Sequence, residues 1–265
     1  MLQKTTFIIL LFTGTLSLAE SVASTSVYPC ANGTILTYFK RPTIITSACP
    51  VPYGQFTFEG GIQYNEFINR GEQWTFPQSK TRIGLPWLSE LAILFPSERI
   101  NHQVNISGLS TTQLALKHDI AYNKNWNVAG RVVYIPASGS KDYGTARDGY
   151  SLNGILAYKT KVFNISAMAS ISSFSTPSAA GGLRYNAFSP DVCITWYTRN
   201  WLHVYFEVFG QTRTAPDQGA GYNLDTGFIF LVTRDFAIDM EIGKRLSGQL
   251  GNFKTYYGGG VSFMF

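Results

Sequence analysis

Charged residues are scarce in this sequence: only 14% of its 265 residues are Asp, Glu, Lys or Arg. Soluble domains are about a quarter charged, so a large part of this surface does not meet water in the usual way. Beyond the first residues there is also no apolar run near the ~18–20 residues that a spanning helix needs. The sequence therefore excludes a helical membrane bundle and leaves two classes, a membrane β-barrel and a secreted β-sandwich.

Histidine and cysteine are rare as well, with three of each. No Cys/His cluster has metal-ligand spacing, and no glycine-rich loop opens a helix. The net charge of +5 comes from scattered Lys and Arg residues rather than from a basic run or helix. We predict no metal, no cofactor and no nucleic-acid partner.

The first 23 residues have the organisation of a secretory signal peptide. Lys4 precedes a short apolar stretch from Phe7 to Phe12, and small residues follow it. Cleavage after Ala19 or after Ala23 fits the small-residue rule, and we favour Ala23. The mature chain is therefore expected to be exported.

Residues 24–53 carry four prolines and show no clean periodicity. They are interpreted as an irregular periplasmic arm, and the alternative, a plug folded into the barrel, stays open. An oxidising compartment favours a disulfide between Cys30 and Cys49 within this arm. Cys193 lies inside a predicted strand and is expected to be a free, inert thiol.

Alternation with a period of two begins at Gly54. Phe56, Phe58, Ile62 and Tyr64 alternate with polar residues, which is typical of a strand with one apolar face. Short turns then alternate with longer links, such as 68–77 and 96–110, which is the connection pattern of an outer-membrane barrel. The predicted strands are 54–67, 78–85, 88–95, 111–122, 126–136, 148–158, 162–174, 186–197, 201–213, 220–232, 236–246 and 255–265.

The predicted fold is all-β: a closed, antiparallel, up-and-down transmembrane β-barrel of about 12 strands over residues 54–265. In the strand 236–246, Phe236, Ile238, Met240 and Ile242 alternate with charged and small residues. An apolar face toward lipid and a charged face toward a lumen suit the bacterial outer membrane. A soluble sandwich would bury the apolar face instead.

The charged residues of the inner face are the candidate functional residues. They would either form a constriction that selects solutes by charge and size, or pair with one another and fill the barrel. Arg82 and Glu90 flank one tight turn and are the favoured pair. Twelve strands lie between side-chain-filled and open barrels, so a narrow pore is expected. The lumen and selectivity set is Glu59, Arg82, Glu90, Lys117, Asp119, Arg131, Glu207, Asp225, Asp239, Glu241 and Arg245.

A lipid hydrolase with a Ser/His/Asn arrangement is the enzyme alternative. It requires a histidine within hydrogen-bond reach of a nucleophile. None of His102, His118 and His203 has a serine two positions away, which would share its face of a strand. We therefore predict that the chain is not an enzyme, with no catalytic residues. The outward parity of His118 is unexpected.

The chain resembles a known family at four places: FTFEGGIQY, TRIGLPWLSELAIL, LALKHDIAY and GYNLDTGFIFLVTRDFAIDMEIGKRL. The family is that of bacterial outer-membrane β-barrel transporters named after the MetA pathway of phenol degradation. The resemblance covers roughly 54–265, and it departs at Pro86-Trp87 and in the cysteine-containing arm. It implies the uptake of aromatic compounds, but it does not identify a substrate.

These observations together predict a channel for passive passage of small solutes, hydrophobic or aromatic ones among them, with selectivity set by lumen charges. A closed structural or surface-interaction barrel is the alternative. Expected partners are outer-membrane lipid, small solutes and the barrel assembly machinery; monomer and small homo-oligomer both stay open. The alternate positions Tyr257, Val261, Phe263 and Phe265 resemble the C-terminal signal that this machinery recognises.

Overall fold

The computed structural model describes residues 28–31, 33–38, 41–68 and 71–265. The predicted signal peptide, residues 1–23, lies outside the described residues. Strands make up most of the described chain, and the α-helix α1 spans only Ile35–Tyr38. Two short 3-10 turns cover Ser178–Ala180 and Leu250–Asn252. Within the described part of the chain, no helix is long and apolar enough to cross a membrane.

All strands belong to one antiparallel sheet that closes on itself, because β15 pairs with β14 on one side and with β1 on the other. The ring has twelve strand positions, which confirms the predicted fold. The strands are β1 Phe56–Phe67, β2 Glu72–Phe76, β3 Lys80–Leu85, β4 Ser89–Leu94, β5 Glu98–Asn101, β6 Ile106–Leu109, β7 Gln113–Tyr122, β8 Trp126–Ile135, β9 Gly149–Lys159, β10 Phe163–Ser175, β11 Arg184–Arg199, β12 Leu202–Gln211, β13 Gly221–Thr233, β14 Phe236–Ser247 and β15 Phe253–Met264.

Three neighbouring ring positions each consist of two strand segments. β2 continues into β3, β4 into β5, and β6 into β7, with short gaps at 77–79, 95–97 and 110–112. The predicted long loops at 68–77 and 96–110 are therefore wrong, since β2, β5 and β6 extend the wall there. Pro77 and Pro96 lack the backbone N–H that a continuous ladder needs, so the strands break at these positions. In the sequence these breaks look like the beginnings or ends of loops.

The closing pair β1–β15 runs from Thr57 opposite Met264 to Phe67 opposite Phe253. Beyond the last residue of β15, Phe265 exchanges two backbone hydrogen bonds with Phe56, at 3.1 and 2.9 Å. The rings of Phe56 and Phe265 stack with centroids 4.7 Å apart. The C-terminal residue therefore completes the last pair of the ring.

The apolar face of the strands points outward. Phe58, Leu116 and Phe206 are exposed, whereas their sequence neighbours Glu59, Lys117 and Glu207 are buried. This arrangement inverts that of a soluble protein, and it suits a wall that meets hydrocarbon outside and polar groups inside. The short turns, including 86–88 and 123–125, all lie at the end that holds the chain termini of the barrel.

Candidate functional site

The charged residues predicted to line the lumen lie on the inner face of the wall. Arg131, Glu241 and Arg245 are half-buried. Arg245 is remote from the rest, near the long-loop end of β14, where its Nη1 donates to the carbonyl of Gly248 at 3.2 Å. The buried members are Glu59, Arg82, Glu90, Lys117, Asp119, Glu207, Asp225 and Asp239.

Five inner residues on β1, β3, β4 and β7 form a continuous ion network. Arg82 Nη2 lies 2.7 Å from Glu59 Oε1, and Arg82 Nη1 lies 3.6 Å from Glu90 Oε2. Lys80 Nζ contacts Glu59 at 2.8 Å, and Lys117 Nζ contacts Glu90 at 3.1 Å. Arg82 and Glu90 thus interact, but Glu59 is the nearer partner of Arg82. Sequence reasoning missed Lys80, although it has the parity of Arg82.

Acidic residues dominate the opposite part of the wall. Asp191, Glu207, Asp225 and Asp239 lie on the consecutive strands β11, β12, β13 and β14. Glu207 and Asp225 are direct cross-strand partners, and the hydroxyl of Tyr256 donates to Asp225 at 2.6 Å. The lumen therefore has an acidic side, while the cations Lys80, Arg82, Lys117 and Arg131 lie on β3, β7 and β8.

The N-terminal segment that precedes β1 contributes hydrogen-bond donors to the acidic side. The backbone N–H groups of Ile44 and Ile45 donate to the two carboxylate oxygens of Glu207, at 2.8 and 2.9 Å. The guanidinium of Arg41 lies 3.3 Å from Asp239 Oδ2. Hydrogen bonds to a charged acceptor are stronger than neutral ones, so these contacts hold the segment firmly.

The same segment offers carbonyl acceptors to the cationic side. Arg82 donates to the carbonyl of Tyr38 at 2.6 Å. Lys117 Nζ donates to the carbonyls of Ser47 and Cys49, at 2.9 and 3.0 Å. The segment is thus polarised across the lumen, with donors toward the acids and acceptors toward the cations. Glu90 is the exception, since it accepts from the N–H of Val51 at 2.9 Å.

Two facing glycines make room for Arg41. Gly61 on β1 is paired with Gly260 on β15, and a Cβ atom at either position would overlap the Arg41 guanidinium. Arg41 Nη2 also donates to the carbonyl of Gly259 at 2.9 Å. The glycine run of the last strand therefore provides the flat surface on which this arginine lies, a role that no local pattern revealed.

A disulfide joins Cys30 to Cys49, with Cα atoms 5.6 Å apart. Asn127 Nδ2 on β8 lies 3.0 Å from Cys30 Sγ, which ties the bridge to the wall. Cys193 on β11 is buried and not disulfide-bonded. The bridge closes the described segment into a loop, so that Ser47 and Cys49 reach Lys117 from a constrained backbone.

His118 has a neighbour that the sequence analysis overlooked. Ser89 Oγ lies 2.9 Å from His118 Nδ1, across the β4–β7 pair rather than along one strand. A serine two positions from His118 on the same strand would have been visible in the sequence, but a serine on the neighbouring strand is not. Both residues lie on the outer face near a short turn, and within the described residues no further hydrogen bond orients the imidazole.

Two cavities flank the N-terminal segment at the short-turn end. The first, about 870 Å³, lies against the turns after β7, β9 and β11 and contains Lys159 and Arg199 in its lining. The second, about 830 Å³, lies against the turn between β3 and β4 and is lined by Tyr28, Tyr53 and Trp87 among others. The segment thus separates a cationic space from an aromatic one.

Solved structures of similar shape are outer-membrane porins. The NanC porin superposes with a TM-score of 0.55 at 13% identity, over 78% of this chain and 98% of that one. The KdgM porin gives 0.53 at 10% identity, over 80% of this chain and 99% of that one. At such identities the likeness concerns the fold alone.

Among curated protein sequences, none matches the chain. The model of one protein family does match, over residues 51–265, which is most of the chain and nearly the whole barrel. The chain is an outer-membrane β-barrel that belongs to the family described as "Putative MetA-pathway of phenol degradation".

Proposed function

We propose that this protein is a channel for passive passage of small solutes, and that residues 24–53 act as its plug. The observation that carries the proposal is the polarised attachment of the segment across the lumen. Its N–H groups bind Glu207 on one side and its carbonyls bind Lys117 on the other. A wall with acids on one side and cations on the other can bind an extended backbone in this way. The same wall can bind hydrated solutes when the backbone is absent.

Buried charges are costly unless they are paired or hydrated. With the segment in place, Arg82, Lys117 and Glu207 have protein partners. With the segment displaced, Glu207 loses its two N–H donors and needs water or permeating ions in their place, whereas Arg82 and Lys117 keep their ion pairs with Glu59 and Glu90. Selectivity by lumen charge therefore applies to the displaced state, and it is set by the balance of acids on β11–β14 and cations on β3, β7 and β8.

Aromatic solutes are the favoured class among uncharged ones. The second cavity is lined by the side chains of Tyr28, Tyr38, Tyr53 and Trp87, and aromatic faces bind planar aromatic molecules through stacking and apolar contact. Trp87 is 87% exposed in a short turn, so its ring is available for such contact. The pathway in the family's description is consistent with this class of solute.

A closed barrel with a structural role is the second candidate function. The proposed plug favours this candidate, because it would keep the lumen closed when no solute passes.

Planar-bilayer recordings of the refolded full chain distinguish the channel from the closed barrel. We expect wild type to open rarely, and Arg41→Gln with Glu207→Gln to raise the open fraction at least tenfold. Lys141→Gln, in the 136–148 loop at the opposite end, is the control. Silence in all variants across salts and voltages contradicts the channel.

Assembly and oligomeric state form a separate part of the proposal. The outward positions Tyr257, Val261, Phe263 and Phe265 of the closing strand would be the signal for the barrel assembly machinery. Because β1 pairs with β15, the barrel closes without a strand from a second copy. A monomer therefore suffices for the proposed channel.

A further inference from the structure

The cationic cavity at the short-turn end is the feature that the channel proposal does not use. It lies between the disulfide-bonded segment and three consecutive turns, at 123–125, 160–162 and 200–201. Four cations line it: Lys124, Lys159, Lys161 and Arg199. Its volume, about 870 Å³, is within the range of small-molecule sites.

No carboxylate balances these cations. Neither Asp nor Glu lines the cavity, and within the described residues none of the four cations lies in an ion pair. This contrasts with the network around Arg82, in which every cation contacts a glutamate. Four unpaired cations around one cavity hold a positive potential that attracts small anions.

The lining also supplies neutral hydrogen-bond donors. Asn125 and Asn164 line the same cavity. The imidazole of His203 packs against the ring of Tyr197, with centroids 4.5 Å apart, and both line the cavity. The cations supply positive charge, and the amides supply directional hydrogen bonds. Carboxylate and phosphate groups prefer such a set of donors.

We infer that this cavity is a binding site for a small soluble polyanion, a molecule with two or more carboxylate or phosphate groups. The inward parity of Lys159, which it shares with the buried Ile155, argues against lipid headgroups as the ligand. Headgroups meet the outer face of the wall, whereas Lys159 lines the cavity at the mouth of the barrel. The site sits where a solute would enter or leave the proposed lumen.

Calorimetric titration with citrate as the probe tests this site in the refolded full chain, in neutral detergent and at low ionic strength. We expect citrate to bind wild type, and Lys159→Gln with Arg199→Gln to weaken binding at least tenfold. Lys141→Gln with Lys254→Gln removes the same charge at the opposite end and should change binding less than twofold. Sorbitol, which is uncharged, should not bind.

Lys124→Gln with Lys161→Gln provides a second test if the Lys159/Arg199 double variant does not refold, because Lys124 and Lys161 lie in exposed turns. Equal loss in the cavity and control variants would mean a general charge effect and would overturn the site. So would the absence of citrate binding to wild type. The titration does not require conduction, so a silent barrel that binds citrate rejects the channel and keeps the site.

Discussion

Arg41 and Asp239 form an ion pair at 3.3 Å between the N-terminal segment and β14, one of the last strands of the barrel. Both side chains are nearly or fully buried, at 9% and 0% exposure. Arg41 also donates to the carbonyl of Gly259 on the closing strand β15. One side chain thus joins the N-terminal segment to the last two strands of the ring.

Substitution of Gly61 by Ala should release Arg41. The added Cβ would overlap the guanidinium, and breaking one side of a buried ion pair costs up to about 3–5 kcal/mol. We expect more frequent channel openings in bilayer recordings. Gly154→Ala is the matched control, since a Cβ there meets nothing within 4 Å. If Gly61→Ala does not fold, Arg41→Gln removes the same contact, and unchanged openings in that variant would contradict the prediction.

Glu207→Gln should loosen residues 44 and 45. Hydrogen bonds to a charged group contribute about 1.5–3 kcal/mol, so partial loss should speed amide exchange of Ile44 and Ile45 about tenfold or more. Hydrogen exchange followed by mass spectrometry measures this directly. Glu241→Gln, another inward carboxylate on β14, should leave both amides unchanged. Equal exchange in the two variants would show that Glu207 does not anchor the segment.

Removal of the disulfide by Cys30→Ser with Cys49→Ser should make the segment sensitive to protease. The bridge spans a sequence separation of 19, and closing a loop of this size stabilises by about 3 kcal/mol in the chain-entropy model. Chymotrypsin cleavage after the buried Tyr38 reports the release. Cys193→Ala should remain resistant, and resistance of the double variant would mean that the wall contacts suffice.

Deletion of Phe265 should impair assembly more than conductance. The residue completes the pairing with Phe56 at the short-turn end, but it is 63% exposed and does not line the lumen. We expect less barrel in the outer membrane of cells and normal single-channel current from protein refolded in vitro. Phe265→Tyr keeps the aromatic ring and should assemble normally. Full insertion of the truncated chain would reject the assembly role.

Strand number and facing were predictable because they depend on local periodicity. Alternation places Phe58 and Glu59 on opposite faces whatever the neighbouring strands are, and the structure agrees. The continuation of the wall past the breaks at Pro77 and Pro96 was not predictable. A proline removes a donor locally, and only pairing with neighbouring segments shows that β2 and β5 continue the strand.

Charge partners were predictable only where a tight turn fixes the register. Arg82 and Glu90 flank such a turn and do interact. Glu59 reaches Arg82 through pairing of β1 with β3, and Ser89 reaches His118 through pairing of β4 with β7. These registers result from the whole ring, so side-chain parity alone does not identify the partners.

By itself, the sequence determined a closed twelve-stranded barrel in the outer membrane, because each strand carries its two faces in its own alternation of residues. Only the tertiary structure decided where residues 41–53 lie. Their sequence has no periodicity from which a path could be predicted. The segment is held by Glu207, Lys117 and Asp239, which come from separate strands and face one lumen only in the closed barrel. The cationic cavity likewise exists only because three separate turns meet at one end of the ring.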